Sequence, residues 1–437
     1  MSLARLGGRT FASLRHHRDY RLYFAGNAIS FVGTWMQQIA AYWLTLELTR
    51  SAVAVGVLAL VQTLPVTVLV LAGGSIADRF DVRRLVIGCE LALAAIASVL
   101  AVLALSGVIE VWQLYALGFA QGVALALAAP ARHTLVFRIV GRDDLPNAVA
   151  LSSALGTTAR ILGPALGGVV VASAGAGVAF AVNAGSYVVV VGALLAMRLA
   201  PVPTTPARAR EVLAGVADTF RFAFSARRVT VAFLAVLLVS TFSFNFDVLL
   251  PLVARRTLGE GAEVFGLIAA VFGAGALCGA LILATVARAR LLLVLGGAAG
   301  FGFFQLLLAP QSSLVVVCVL LFAIGIFYVL WGSSALATLQ LAAPEQLRGR
   351  AASLYFFAFQ GGAPLGGLIA GSLTEIGGTR LAFVSAGTIA IAVAVAGAAA
   401  LVRSGRPPRE LVVLSPSSGR LRRRRSAGRT PPGTRPP

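Results

Sequence analysis

The chain contains no lysine, and only 12% of its 437 residues are charged, about half the roughly 25% of a soluble domain. With 58% hydrophobic residues and a mean hydropathy of +0.90, the composition excludes an ordinary soluble globular protein and points to lipid as the solvent. Cysteine is scarce as well. Cys89, Cys278 and Cys318 all lie in apolar runs without CxxC spacing, which argues against a disulfide framework or a thiolate site. His16, His17 and His133 form no HExxH or similar cluster, so no metal site is expected. The GxxxxGK[ST] phosphate loop is missing too, which disfavours a built-in ATPase, and no cofactor is expected. No nucleophile and base pair up within the apolar runs, so the chain is not expected to be an enzyme.

What remains is a net charge of +20 carried by arginine alone. The arginines sit mostly in loops and tails instead of on one helix face or in a recognisable module, so nucleic acid is not an expected partner. The lysine-free, alanine-rich composition fits a GC-rich bacterial genome. A ruler of about 20 apolar residues per bilayer crossing places twelve spans at 22–47, 52–74, 85–106, 111–131, 147–173, 177–199, 229–254, 264–286, 291–309, 313–340, 351–374 and 380–402. On that reading thirty-one arginines share the side of the termini, four (Arg50, Arg255, Arg256, Arg380) lie opposite, and Arg160 alone falls inside a span. Both termini are therefore expected in the cytoplasm. The basic N-terminus has no apolar run before residue 22, so the first span is expected to serve as the insertion signal.

The organisation expected is all-α and integral to the membrane. A cytoplasmic segment 1–21 precedes a six-helix bundle 22–199, a cytoplasmic linker 200–228, a second six-helix bundle 229–402 and a basic tail 403–437. The linker opens PVPTTPARAR and continues EVLAGVADTFRFAF, which suits a short amphipathic helix on the membrane surface. GPALGG (163–168) follows GRDDLPNA, and GAPLGG (362–367) follows PEQLRGRA about 200 residues later. Gly56 has a counterpart in Gly266, which aligns Arg288 with Asp78. Related halves of six helices imply a central site between two bundles. The tail, with RRRR at 422–425, is expected to be disordered and attracted to anionic lipid.

The stretch GSIADRFDVRR (74–84) resembles the loop between helices 2 and 3 of the major facilitator superfamily. RDYRLYFAGNAIS, LTLELTRSAVAVG, PARHTLVFRIVGRDDLPNAVALSSA and RILGPALGG are similar to the branch that includes the enterobactin exporter and macrolide efflux proteins. The resemblance covers residues 18 to 402. It implies the twelve-helix major facilitator fold and a cytoplasmic gate formed by Gly74, Asp78, Arg79, Arg83 and Arg84. In the family the Asp of this loop interacts with the start of helix 11, here Pro344 to Arg350, which includes Arg348. Asp81 and Val82 depart from the motif. Gln121 and Gly122 match the helix 4 proton-antiport motif, but Gly118 stands where it has Arg, so the usual proton relay is not carried over. GPALGG matches the core of a helix 5 motif associated with export.

Among individual residues, a charge within a span costs roughly 2.5 to 3.5 kcal/mol on insertion scales, which singles out Arg160. It either faces a cavity, binding an anionic group or tuning a coupling acid, or pairs structurally with carbonyls or an acid. Asp247 lies in the polar stripe STFSFNFDVLLP with Asn245. It is either a coupling acid on a cavity wall or a hydrated carboxylate paired with Arg255 or Arg256. Gln37 and Gln38, with Trp35 and Trp43 nearby, are candidate cavity residues. Glu47, Glu90 and Glu375 read as solvated or snorkelling. Gly163, Pro164, Gly167, Gly168, Pro364, Gly366 and Gly367 read as close-packing and bending positions. The expected function is secondary active export of small amphipathic molecules, drug-like or siderophore-like, across the bacterial inner membrane. Alternating access coupled to proton or ion antiport drives it, and the chain acts as a monomer. An importer of a small metabolite and a transport-dead sensor or scaffold are the alternatives.

Overall fold

The computed structural model describes residues 12–77, 81–198, 221, 223–224, 226–285, 291–343 and 348–402, with backbone alone at 70–77, 348–350 and 353. Asp78 and Arg79 of the expected gate, most of the linker and the tail 403–437 lie outside the described residues.

Every element described is helical. The first set comprises α1 (Ala12–His16), α2 (Arg18–Thr49), α3 (Ala52–Ala77), α4 (Val82–Leu105), α5 (Val111–Ala174) and α6 (Ala176–Ala196). The second comprises α7 (Arg227–Phe242), α8 (Phe246–Leu252), a π-helical turn (Val253–Leu258), α9 (Ala262–Thr285), α10 (Leu291–Leu308), α11 (Leu314–Ala342), α12 (Arg348–Gly361) and α13 (Ala363–Val402). Nine stretches among the described residues are long and apolar enough to cross a membrane. Large apolar side chains such as Val102, Leu195 and Val315 stand exposed on the outer surface, where lipid is their natural neighbour.

Two of these stretches, Val111–Ala174 and Leu354–Val402, are long enough for two crossings. At 1.5 Å per residue the 64 residues of α5 run to roughly 96 Å, three times a ~30 Å hydrocarbon core. The chain turns back at Gly141, whose φ of 70° and ψ of −170° suit only glycine. α13 turns likewise at Gly377 and Gly378. The expected loop 132–146 is thus helical apart from Gly141. Leu135, Val136 and Val140 are buried there at a helical period that continues the preceding span.

The other expected spans lie within a few residues of observed helices, with two differences. The span expected at 229–254 is broken at 243–245. Ser243 Oγ donates to Ala386 O and Asn245 Nδ2 to Thr241 O, side-chain bonds that offer the backbone an alternative to the helical ladder. The span expected at 351–374 is interrupted at Gly362, where an added Cβ would collide with Thr241 Oγ1.

Small residues set the packing. In the first set α2 packs on α5 and α6, α3 on α5, and α4 on α6. In the second α9 and α10 pack on α11, and α13 on α7 and α10. The two most extensive contacts between the sets are α5 with α9 and α3 with α13, and α8 and α12 add smaller ones to α2 and α3. The two larger ones are glycine contacts: a Cβ on Gly168 would lie 2.7 Å from Gly266 Cα, and one on Gly56 2.7 Å from Gly367 O. The repeated glycines of the two halves therefore meet in two equivalent pairs. The backbone stays helical through 163–168, so Gly163, Pro164, Gly167 and Gly168 pack closely without a break. Pro364, Gly366 and Gly367 lie just after the interruption at Gly362.

Candidate functional site

Between the two sets lies a cavity of about 600 Å³, within the size range of drug-like ligand sites. α2 lends Phe31, Thr34, Trp35 and Gln38; α5 lends Arg132, Ser153, Thr157 and Arg160; α11 and α12 lend Tyr328, Ser333 and Tyr355. Arg160 is its best-defined group. Its guanidinium lies over the Trp35 ring, 4.7 Å from the centroid, and donates from NH1 to Tyr328 Oη at 3.0 Å. Trp35 comes from the first set and Tyr328 from the second, so Arg160 links them across the cavity.

Trp35, Gln38 and Arg160 also border a smaller pocket of about 40 Å³ that contains Asp247. Asp247 stays accessible there and forms no ion pair among the described residues. The arginines proposed as its partners are engaged elsewhere: Arg255 lies over Trp43 at 6.0 Å, and Arg256 pairs with Glu375 at 3.0 Å.

Gln37 and Gln38 part company. Gln38 lines the cavity, whereas Gln37 is turned into the core of the first set. It donates to Gln121 Oε1 at 3.0 Å and accepts from Asn183 Nδ2 at 2.7 Å. Neighbours on a helix point about 100° apart, which separates their roles. Asn245 is buried against Gly366, away from both pockets.

Of the three carboxylates expected to be solvated, Glu47 and Glu375 are exposed and Glu90 is not. Glu90 is wholly buried, and Arg132 donates to its Oε1 from Nε at 3.1 Å and NH2 at 2.6 Å. The Arg132 guanidinium also lies 5.8 Å from the Phe31 ring centroid. Arg132 falls just past the span expected at 111–131, within a segment expected to be a loop that the structure shows as helix. The signal for the pair was present in Glu90, an acid inside an apolar run that calls for a cation.

At the end of the molecule that holds turns 49–52, 175 and 259, the two sets are latched. Glu375 Oε2 accepts from Ala52 N at 2.8 Å and from Arg256 NH2 at 3.0 Å, while Arg256 NH2 also donates to Arg50 O at 2.7 Å. A carboxylate of α13 thus sits at the start of α3, where unpaired backbone N–H groups favour an anion. The Ala52 N–H, then Arg256, hold the Glu375 carboxyl below the usual carboxylate range. Glu47 accepts from Trp43 Nε1 at 2.6 Å, and Trp43 stacks on Phe265 of α9.

The opposite end holds the described part of the expected gate. Asp81 caps α4 by accepting from Arg84 N, and Arg138 NH1 lies 4.0 Å from its carboxylate. Arg83 donates to the carbonyls of Leu194 and Leu195, the C-terminal position where a cation suits a helix. Gly74 lies in the last turns of α3, and Arg348 begins α12. α1 docks nearby: Ser13 Oγ donates to Asn147 Oδ1, and His16 and His17 share Asp144 Oδ2 at 3.1 and 2.9 Å.

Comparison with known proteins places this arrangement in context. A family model described as "Transmembrane secretion effector", of the major facilitator type, matches residues 8–413. Macrolide efflux protein A of Streptococcus pyogenes is 23% identical over 87% of this chain and 96% of its own length. The enterobactin exporter EntS of Shigella boydii is 27% identical over 82% of this chain and 86% of its own. A crystal structure of a peptide transporter POT superposes with a TM-score of 0.73 at 15% identity, covering 91% of this chain and 96% of that one.

Proposed function

Since the chain belongs to the transmembrane secretion effector family of major facilitator transporters, we propose that it is a secondary active exporter of small amphipathic molecules. Its relatives are membrane transporters and not enzymes. The proposal adds a direction, an energy source and a way of working. Twelve spans form two six-helix bundles, residues 22–199 and 229–402, joined by the linker 200–228, with both termini in the cytoplasm. The cavity opens alternately to either face as one bundle rocks against the other.

The cavity of about 600 Å³ carries this reading. It lies at the junction of the two sets, with Arg160 donating across it to Tyr328, and its mixture of rings and hydroxyls suits a ligand with an apolar body and polar edges. Similarity to named efflux proteins supports export over uptake. The Glu375 latch acts as the gate on the side away from the termini. Gly74, Asp78, Arg79, Arg83, Arg84 and Arg348 act on the other. Asp247, which shares a small pocket with Arg160, is the coupling acid: a proton is exchanged there as the guanidinium takes or releases its ligand.

The test is flux. Purified protein in liposomes with an imposed pH gradient is screened with drug-like and siderophore-like compounds. Gradient-dependent flux towards the face away from the termini is expected, with loss of coupling in Asp247→Asn. Flux that ignores the gradient overturns the antiport, and flux only towards the termini reassigns the chain as an importer.

A further inference from the structure

We infer that the large cavity selects organic anions, binding a carboxylate or comparable oxyanion on Arg160 and a flat apolar body against the neighbouring rings. This rests on the transport reading and names the substrate class it leaves open. Among the described residues lining the cavity there are two arginines, Arg132 and Arg160, and no acid. The charge of Arg132 is balanced from behind by Glu90, which is wholly buried. Arg160 has no such balance at contact distance: its hydrogen bond goes to the neutral Tyr328 hydroxyl.

A guanidinium carries five N–H donors in one plane, and among the described residues one of them is used, by Tyr328. Its face is occupied by Trp35, which fixes the plane and leaves the donor edge for a ligand. Bidentate pairing with a carboxylate needs such an edge, and Lys, a point charge, cannot reproduce it. Away from bulk water a charge-assisted pair gains strength.

Among the described residues lining the two pockets Asp247 is the one acid, and geometry keeps it from defining the site. Its pocket of about 40 Å³ has room for a water or so, not for a substrate. A ligand in the large cavity meets Arg160 before it meets Asp247. The rest of the wall offers the rings of Phe31 and Trp35 from α2 and of Tyr328 and Tyr355 from α11 and α12, together with polar side chains such as Gln38 and Thr157. These rings suit a planar apolar body, and the hydroxyls suit its polar edge.

The test uses the full chain in detergent and three probes sharing one ring: 2-naphthoate, 2-naphthamide and 2-naphthylmethylammonium, each measured by equilibrium dialysis at neutral pH. Naphthoate is expected to bind about tenfold tighter than the amide, the order of discrimination a charge-matched pair supplies, with the ammonium weakest. Arg160→Gln erases the difference between naphthoate and naphthamide, and Arg160→Lys restores part of it. Tyr328→Phe, which removes only a hydroxyl, weakens naphthoate by about threefold, near the worth of one hydrogen bond. An ammonium probe that binds as tightly as naphthoate overturns the inference, as does an unchanged ranking in a folded Arg160→Gln protein.

Flux in liposomes separates the two readings. Naphthoate binding that needs Arg160, without gradient-driven flux of any compound, leaves the anion site and removes the transporter. Gradient-driven flux of neutral or cationic compounds, without preference for naphthoate, does the reverse.

Discussion

The two helix sets fill their interiors with different chemistry. In α2–α6 the interior is stitched by polar side chains: the Asn183–Gln37–Gln121 chain, the Glu90–Arg132 pair, and Thr34 with Tyr187 at 2.9 Å. In α7–α13 it is a run of rings: Phe244 on Tyr328 at 4.6 Å, Phe246 on Phe272 at 4.8 Å and Phe301 on Trp331 at 6.0 Å. Hydrogen bonds and ion pairs fail when displaced by an ångström, whereas offset rings tolerate sliding. The first set is thus held in one geometry, and the second is able to adjust around a ligand.

The contrast breaks most sharply at Glu90. Glu90→Gln leaves the Arg132 guanidinium without its counter-charge and is expected to cost about 3–5 kcal/mol. This appears as a large fall in the melting temperature of the detergent-solubilised protein, and Glu90→Leu with Arg132→Met recovers most of it. A smaller loss follows in the aromatic set. Phe246→Leu removes ring contacts but keeps most of the apolar volume, and costs about 1–2 kcal/mol. If it costs as much as Glu90→Gln, the two interiors are equally exacting and the comparison fails.

The seam between the sets gives a smaller effect. Glu375→Gln weakens a partly exposed latch worth about 0.5–1 kcal/mol after solvent screening, a two- to fivefold shift in population. Labelling of a cysteine placed in the Asp247 pocket from the side of turns 49–52 is expected to rise accordingly. Because the Glu375 carboxyl is held below its ordinary range, the latch is fully formed above that range and loosens as pH falls through the lowered value. The wild-type protein is therefore expected to gain that labelling only in acid. Asp144 shows the smallest effect. Its carboxyl is lowered, chiefly by hydrogen bonds from His16 and His17, so acid below the ordinary carboxylate range releases α1. Protease cutting near Ser13 rises in acid, and Asp144→Asn raises it at neutral pH.

Much of this was legible because it is local. Apolar runs marked the helices, and the repeated GPALGG and GAPLGG, with Gly56 and Gly266, marked surfaces that meet as Gly168–Gly266 and Gly367–Gly56. What escaped depends on distant partners. Glu90 and Arg132 are 42 residues apart, and Glu375 and Ala52 are 323 apart, so no spacing encodes either contact. The span expected to end at 131 continues as helix to Gly141, because the polar residues Arg132, His133 and Arg138 mark a membrane edge and not a helix end. The polar stripe around Ser243–Asn245 was visible, but not that it breaks the helix, because one acceptor, the Ala386 carbonyl, comes from α13. Arg160 stood out in the sequence because it is the one arginine in the middle of a span; its Trp35 and Tyr328 partners did not.

The two glycine contacts between the sets carry a geometric consequence. At each, a glycine lets the backbones of the two sets approach closely. Two fixed points define a line, so any relative motion that preserves both contacts reduces to rotation about that line. Such a rotation has one degree of freedom, and bulk added at any of the four glycines pushes a contact apart and so displaces the axis itself.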